Sequence, residues 1–281
     1  MPILDFGYFL TAHFLTFPVL LFPQEHKLAG AAIATAMSQV VGGTIPLIYF
    51  RLKNNSILRI GKTDFNGRII IRAATNGSSE FMTNVSMSVV GMLYNVQLME
   101  YAGENGVAAY GVMMYVSMIF SDMFVGYSLG VAPVIGYNDG AKNHTELKGL
   151  LKRSVVLIGS FAVCMVIAGE VFAVPLSKIF VGYDAELMGL NVSGFRIFAV
   201  SFLFMGYAIF GSSFFTALND GFTSAIISFL RTLVSQIAAV LLLPMIFEID
   251  GIWYSIIVAE FMAMTLSAVF VVVKRKKYHY M

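Results

Sequence analysis

Charged side chains stand inside long apolar runs of this chain, where they could bind or release a cation. Asp122 interrupts the run "MYVSMIFSDMF", Glu260 follows "WYSIIVA", and Arg231 lies within "IISFLRTLVS". An ionisable group near the centre of a bilayer costs about 2.5–3.5 kcal/mol on insertion scales, so such groups usually face a bundle interior or an aqueous cavity. The sequence therefore predicts a cation or proton pathway that includes Asp122, Glu260 and Arg231.

A polar stripe runs along the segment that precedes Asp122. Glu80, Asn84, Ser88, Gly91 and Asn95 follow one another at steps of 4, 4, 3 and 4 residues, which places them on one face of an α-helix. Packing rarely needs so many polar groups on one face, so the stripe favours a cavity wall. Glu80 lies about one turn into its span, and its expected place is the cytoplasmic mouth of that cavity.

The stretch that begins at Asp122 repeats this spacing with small and helix-weakening residues. Gly126 and Gly130 form a small-xxx-small pair, which lets a neighbouring backbone approach closely. Pro133 lacks a backbone N–H and loosens the helix around it. These residues predict a closely packed, bendable inner end of a helix that lines the cavity.

An alternative interpretation gives the same residues a purely structural role. Asp122 or Glu260 could pair with Arg231 or Arg196 and simply hold helices together. Hydroxyl groups in membrane helices often form hydrogen bonds between neighbouring helices. The stripe that carries Arg231 also carries Ser224, Ser228 and Ser235.

The amino-acid composition is that of a protein whose helices span a membrane. Of the 281 residues, 58% are hydrophobic and only 12% are charged. A soluble domain is about one quarter charged, so this chain has too little polar surface to cover a soluble globule. A helix needs about 20 apolar residues to cross a bilayer. The predicted spans are 3–22, 28–50, 77–101, 107–135, 153–172, 190–216, 223–247 and 251–273.

The basic residues orient these spans. They concentrate in segments 51–72, 142–153 and 274–277, all of which fall on the same side if the eight spans alternate. Cytoplasmic loops carry the excess of lysine and arginine, which predicts that both termini are cytoplasmic. Residues 62–75 also fit a short amphipathic helix on the inner membrane surface, where basic side chains would meet anionic head groups.

Motifs for soluble chemistry lack their partners. The "GKT" at 61–63 has Ser56 where a phosphate loop needs glycine, and no buried strand precedes it. "NDG" at 138–140 lacks the later ligands of a calcium loop. The four histidines have no metal-ligand spacing, and Cys164 stands alone. We therefore expect no enzyme, no metal site, no nucleic-acid partner and no cofactor other than a coupling ion.

An internal echo, with Gly30, Ala34 and Gln39 matching Gly251, Ser255 and Glu260, is typical of two parallel transporter halves. Six segments carry a family resemblance that covers nearly the whole chain, namely "GAAIATAMSQ" (30–39), "NGSSEFMTNVSMSVVGMLYNVQL" (76–98), "GVAAYGVMMYV" (106–116), "GYSLGVAPVIGYNDGAK" (126–142), "GSSFFTALNDG" (211–221) and "GIWYSIIVAE" (251–260). With these segments in this order, the chain resembles the multidrug and toxic compound extrusion (MATE) transporters, and looks most like their clostridial-type branch.

The resemblance implies an all-α, polytopic membrane helical bundle with about eight transmembrane helices. Family members have two six-helix lobes, so we expect residues 1–50 to end an incomplete N-terminal lobe and 76–273 to form a complete C-terminal lobe. Residues 51–75 would be the cytoplasmic linker, and 274–281 a basic cytoplasmic tail. The expected chain is thus an N-terminally truncated transporter whose partner would be the missing lobe.

The implied activity is efflux of drugs or small organic cations, driven by H+ or Na+, across the bilayer of the bacterial inner (plasma) membrane. The fragment is expected to be inactive alone. Two alternatives stay open, namely a lipid or glycolipid flippase of the same superfamily and a half-protein that transports nothing. An acidic cavity would favour cations, whereas a wide basic cavity would favour a lipid-linked anion.

Overall fold

The structure is a computed structural model that describes residues 27–52, 61 and 66–280, apart from some side chains within these ranges. The chain divides into two compact units, Met1–Asn66 and Gly67–Met281. The first predicted span, 3–22, lies outside the described residues. Helices account for nearly all of the described chain, and the described ranges contain no strand.

The described part of the first unit is one helix, α1, at Lys27–Arg51. It agrees with the predicted span 28–50. Apolar side chains such as Val40 and Leu47 are exposed along it, as expected for a helix that meets lipid. Pro46 lies within the helix, and the Thr44 hydroxyl donates a 2.6 Å hydrogen bond to the carbonyl of Val40.

The second unit packs its helices around one large apolar core, beside a smaller cluster of Ala109, Val181 and Leu187. The largest fully buried side chains there include Trp253, Phe124, Phe202 and Phe214. The Phe120 and Phe202 rings stack with their centroids 5.1 Å apart. The helices of this unit are α2 (Gly67–Gly140), α3 (His144–Val181), α4 (Ala185–Ala199), α5 (Phe202–Ala217), α6 (Gly221–Phe229), a π-helical segment (Leu230–Ser235), α7 (Gln236–Leu242) and α8 (Pro244–Tyr278).

Helix α2 contains two of the predicted spans, because it folds back on itself at Gly103. A straight helix of its 74 residues would be about 110 Å long, far more than a bilayer needs. Gly103 has φ 61° and ψ −153°, a conformation that glycine adopts without a steric penalty. The Tyr94 and Tyr110 rings, 16 residues apart, stack with centroids separated by 5.2 Å. The two arms therefore lie side by side as a helical hairpin.

Two further breaks shape the later spans. Helices α4 and α5 are bent by 52° relative to each other, and together they correspond to the predicted span 190–216. Helix α8 breaks at Glu248, which has φ 52° and ψ −130°, so its long membrane-length part starts just after that residue. The break leaves Gly251 so near the preceding turn that a Cβ there would lie 2.7 Å from Pro244 Cα.

Four helices among the described residues are long and apolar enough to cross a membrane, or five if the bent pair α4–α5 counts as one span. These four are α2, α3, the continuous run α6–α7, and α8. The predicted boundary between linker and lobe at residue 76 stays a prediction. Here α2 begins at Gly67, so residues 67–75 continue directly into the span.

The C-terminal residues fold back onto the end of the bundle. His279 adopts a left-handed conformation (φ 54°) that ends α8, and the Tyr280 hydroxyl donates a 2.9 Å hydrogen bond to the carbonyl of Val271. The Tyr280 side chain is fully buried, and its ring contacts Phe214. The end of the described chain is thus anchored to α5 through an aromatic contact.

Asp220, in the turn between α5 and α6, binds the same end of α8. Its Oδ2 accepts a 2.7 Å hydrogen bond from the Tyr278 hydroxyl and lies 3.3 Å from Lys277 Nζ and 3.7 Å from Lys274 Nζ. Burial would raise the pKa of the Asp220 carboxyl, but hydrogen bonds from Tyr278, Thr223 and Lys277 outweigh it. They lower that pKa from 3.8 to about 2. The carboxylate therefore stabilises the folded bundle.

We expect Asp220→Asn to lower the free energy of unfolding by on the order of 2 kcal/mol at neutral pH. Because the folded pKa is lowered, the contribution is present above the ordinary value of 3.8 and is lost as pH falls through that value towards about 2. Unfolding of both proteins in mixed micelles between pH 7 and pH 2.5 measures this. Asp139→Asn is the matched control, since Asp139 takes part in none of the ion pairs of the described chain. A constant difference between Asp220→Asn and wild type at all pH values would contradict the assignment.

Candidate functional site

A buried ion pair joins the π-helical segment to α8 inside the second unit. Arg231 Nε lies 3.3 Å from Glu260 Oε2, and Arg231 Nη2 lies 3.4 Å from Glu260 Oε1. The two side chains are only 14% and 6% exposed. The guanidinium thus meets the carboxylate through two parallel contacts, an arrangement that gives geometric specificity as well as attraction.

Side-chain hydroxyl groups form hydrogen bonds to the backbone of the π-helical segment that carries Arg231. The Ser235 hydroxyl donates a 2.9 Å hydrogen bond to the carbonyl of Leu230, five residues earlier. The Thr232 hydroxyl donates a 2.6 Å bond to the carbonyl of Ser228. π-Helical turns are rare and occur frequently at functional sites. The turn therefore marks the position of Arg231 as unusual within an otherwise regular membrane helix.

A second polar group, centred on Tyr94, ties the α2 hairpin to α7 and α8. The Tyr94 hydroxyl donates to Gln236 Oε1 at 2.9 Å and shares a 2.9 Å hydrogen bond with Ser255 Oγ. The ring of Tyr94 is fully buried and stacks on Tyr110. The Tyr94 hydroxyl therefore links the α2 hairpin to α7 and α8 through two side-chain contacts, which stiffen the connection between these three elements.

The ion pairs show which of the possible partners Glu260 has. Its partner is Arg231, whereas Arg196 lies 3.6 Å from Glu170 in a half-exposed pair. The serine stripe also serves helix packing. Ser212 on α5 shares hydrogen bonds of 3.0 and 2.8 Å with Ser224 and Ser228 on α6. The structural interpretation therefore fits this face of α6.

The polar stripe of α2 lies on the surface of the second unit. Asn84, Ser88 and Asn95 are exposed, while Val90 and Leu98 on the same helix are buried in the core. The backbone of Glu80 belongs to the same helix, but its side chain lies outside the described residues. Large apolar side chains flank the stripe and are exposed as well, including Phe81, Met92 and Val96.

Asp122 also lies on the surface, on the second arm of α2. It belongs to none of the ion pairs found among the described residues, and it is exposed. Tyr115, Ile119 and Leu129 surround it on the same helical face and are exposed too. The structure thus places a carboxylate in the middle of an otherwise apolar, uncovered face of the unit.

The predicted packing and hinge residues lie on this same surface. A Cβ added at Gly126 or Gly130 would meet nothing within 4 Å in the described structure. Pro133 lies inside a helix whose non-helical backbone occurs at Gly103, so α2 shows no break at the proline. The packing role of Gly126 and Gly130 and the bending role of Pro133 stay predictions, which concern contacts outside this unit.

Three residues of the Tyr94 junction were not predicted as site residues from the sequence. Tyr94 falls on the stripe Ser86, Val90, Tyr94 and Leu98, which has the spacing of any core face. Gln236 and Ser255 stand inside apolar runs and could have been noted as polar groups at depth. In the described part of the chain, no three histidine, cysteine, aspartate or glutamate side chains lie close enough together to hold a metal ion.

Comparisons with known proteins place these features in a family context. The family model described as MatE matches residues 81–242. The multidrug export protein MepA of Staphylococcus saprophyticus is 28% identical over 248 residues, which cover 86% of this chain and 53% of that protein. MepA of Staphylococcus haemolyticus is 27% identical over 248 residues, which again cover 86% of this chain and 53% of that protein.

The fold of the chain is also similar to that of solved MATE structures. A crystal structure of MATE in complex with MaL6 matches with a TM-score of 0.85 and 20% identity, covering 94% of this chain and 60% of that one. At this identity the likeness shows the fold alone, and it confirms an all-α polytopic membrane bundle. The chain spans about half the length of the curated relatives that it matches.

Proposed function

This chain belongs to the MATE family of transporters, since the family model matches more than half of its residues, and we propose that it contributes one lobe to an exporter of organic cations. The family consists of transporters, so the chain is not assigned to an enzyme class. It is a multi-pass membrane protein. The match covers only 53% of the Staphylococcus saprophyticus relative, so we propose that transport requires this chain together with a second lobe.

The exposed polar face of α2 carries the proposal. Its two stripes hold Asn84, Ser88, Asn95 and Asp122, all exposed on a surface that is otherwise apolar. Uncovered polar groups in membrane spans are costly in lipid, so they usually face a water-filled cavity. The charge on these stripes is acidic, which favours cationic substrates over the lipid-linked anions that a flippase would carry.

Asp122 is the proposed site of ion coupling. A carboxylate in a cavity can bind H+, Na+ or a cationic drug, and competition among these ions would couple entry of one to exit of another. We assign the buried pair Arg231–Glu260 and the Tyr94 junction to the stiff body of the lobe, because both are fully engaged in contacts within it. The distribution of basic residues supports a cytoplasmic position for both termini. The Staphylococcus relatives support a bacterial plasma-membrane location.

Accumulation of ethidium, an organic cation, tests this proposal in bacterial cells that lack their main exporters. We expect no efflux from cells that express this chain alone, because one lobe encloses no cavity. We expect efflux when the chain is expressed together with the part of the Staphylococcus saprophyticus relative that the match leaves out. A protonophore should abolish efflux if H+ is the coupling ion, and removal of Na+ should do so otherwise.

An anionic dye of similar size provides the control for charge preference. Export of the anionic dye without export of ethidium would overturn the cation proposal and favour the flippase alternative. Ethidium efflux from the chain alone would overturn the requirement for a second lobe.

A further inference from the structure

Two histidines that are far apart in the chain meet at the predicted cytoplasmic end of the second unit. His144 is the first residue of α3, and His279 follows the last residue of α8. The centroids of their imidazole rings lie 5.1 Å apart, and the ring planes make an angle of 65°. Spacing along the sequence could not show this pair, because only the fold brings the two residues together. The pair is separate from the stripes, the ion pair and the Tyr94 junction described above.

Contacts on both sides of His279 hold its backbone in place. The Tyr278 hydroxyl donates a 2.7 Å hydrogen bond to Asp220, and the Tyr280 side chain is buried with its ring against Phe214. His279 lies between these two anchors, in the left-handed turn that ends α8, and its side chain is exposed. A ligand would therefore have only the imidazole ring to order, which keeps the entropic cost of binding low.

The capped start of α3 holds His144 in a similar way. The Asn143 side chain accepts a 3.2 Å hydrogen bond from the backbone N–H of Glu146, which closes the first turn of the helix. The Glu146 carboxylate is itself engaged by Arg153 at 2.8 Å. The His144 side chain is exposed. Each imidazole thus extends from an anchored helix end, and the two ends belong to different helices.

The separation of the two rings matches the spacing of two imidazoles on one metal ion. A bond between Zn²⁺ and an imidazole nitrogen is about 2.0–2.1 Å long, which places the ion about 3.2 Å from each ring centroid. At a tetrahedral angle between the two bonds, the centroids would lie about 5.2 Å apart. The observed 5.1 Å therefore requires no movement of either helix. Because both rings are exposed, rotation about side-chain bonds can turn one nitrogen of each towards a shared ion.

The chemistry of the two ligands selects the kind of ion. Imidazole suits late first-row divalent ions such as Cu²⁺ and Zn²⁺, whereas Mg²⁺ and Ca²⁺ take oxygen ligands. Lys142 and Arg275, which are exposed and near the histidines along the chain, repel a cation, but salt screens exposed charges. We propose that His144 and His279 bind one Zn²⁺ or Cu²⁺ ion, with water in the remaining coordination positions. The ion would link the start of α3 to the end of α8.

Calorimetric titration of the full chain in detergent micelles, without a polyhistidine tag, tests the proposal with Zn²⁺, Cu²⁺ and Mg²⁺. We expect a dissociation constant for Zn²⁺ on the order of 10 µM, because two ligands supply about half the binding free energy of a four-ligand zinc site. Cu²⁺ should bind more tightly, and Mg²⁺ should not bind. His144→Asn and His279→Asn should each raise the dissociation constant at least about tenfold. Asparagine tolerates the left-handed conformation at position 279, so both variants should unfold at the wild-type midpoint in ion-free micelles.

Electron paramagnetic resonance of bound Cu²⁺ distinguishes a shared ion from binding at a single histidine. We expect nitrogen couplings from two imidazoles in wild type and from one imidazole in either histidine variant. Glu146→Gln is the matched control, because it removes a nearby acid and leaves both imidazoles in place, so its dissociation constant should stay close to that of wild type. Equal losses for Glu146→Gln and the histidine variants would mean general attraction of cations to this surface and would overturn the site. A single imidazole coupling in wild type, or a loss in only one histidine variant, would overturn the shared ion.

Discussion

Replacing Arg231 with methionine is expected to destabilise the second unit by about 3–5 kcal/mol, the largest stability effect that we predict for a single substitution. The Glu260 carboxylate is 6% exposed and would be left without its guanidinium partner in the interior of the bundle. A buried charge that loses its counter-ion must either stay unpaired or take up a proton. Both outcomes make the folded state less stable than it is with the ion pair intact.

The double variant Arg231→Met/Glu260→Met separates the ion pair from simple packing. Replacing both charges with apolar groups of similar size removes the orphaned charge, so the double variant should recover most of the lost stability. The matched control is Arg196→Met, which breaks the half-exposed pair with Glu170. Exposed pairs contribute about 0–1 kcal/mol, so this control should change stability little.

Reversible unfolding of wild type, Arg231→Met, Glu260→Met and the double variant in mixed detergent micelles measures the coupling of the pair as a double-mutant cycle, and Arg196→Met is unfolded under the same conditions as the control. The interpretation fails if Arg231→Met and Arg196→Met destabilise the protein equally. It also fails if the double variant is as unstable as Arg231→Met, because the loss would then come from packing around the arginine stem.

The pairing of Arg231 with Glu260 shows where sequence patterns stop being informative. Both residues could be identified as polar groups at depth, because a charge inside an apolar run has few explanations in a membrane protein. Their pairing depends on the relative depth of two neighbouring helices and on the extra residue in the π-helical turn. Hydropathy encodes neither of these features. From the sequence, Asp122 was therefore an equally good partner for Arg231, and Arg196 an equally good partner for Glu260.

The spans of the second unit were predictable, since apolar runs of membrane length leave the chain little choice of structure. The apolar segments 77–101 and 107–135 emerge as the two arms of α2, and their separation coincides with the backbone break at Gly103. The Tyr94 junction was not predictable. A tyrosine on a core stripe resembles any other large apolar residue until Gln236 and Ser255 approach its hydroxyl group.

Asp122→Asn is expected to reduce ethidium efflux by at least about tenfold in cells that express this chain with the complementary part of the relative, a loss that corresponds to about 1.4 kcal/mol of binding or coupling free energy. The substitution keeps the size of the side chain and removes its negative charge. If Asp122 binds the coupling ion or the cationic drug, neither can be exchanged at the neutral amide. The stability of the protein should stay unchanged, because Asp122 is exposed and belongs to no ion pair of the described residues.

Glu100→Gln provides the matched control for this experiment. Glu100 is an exposed acid on the same hairpin, but it lies on the other arm, three residues before the break at Gly103. Its neutralisation should leave efflux at the wild-type rate. Equal efflux from the Asp122→Asn and wild-type assemblies, with both present in the membrane in equal amounts, would remove Asp122 from the transport pathway. Its exposure on the bare face of α2 would then reflect contact with the second lobe, where an amide hydrogen-bonds as well as a carboxylate does.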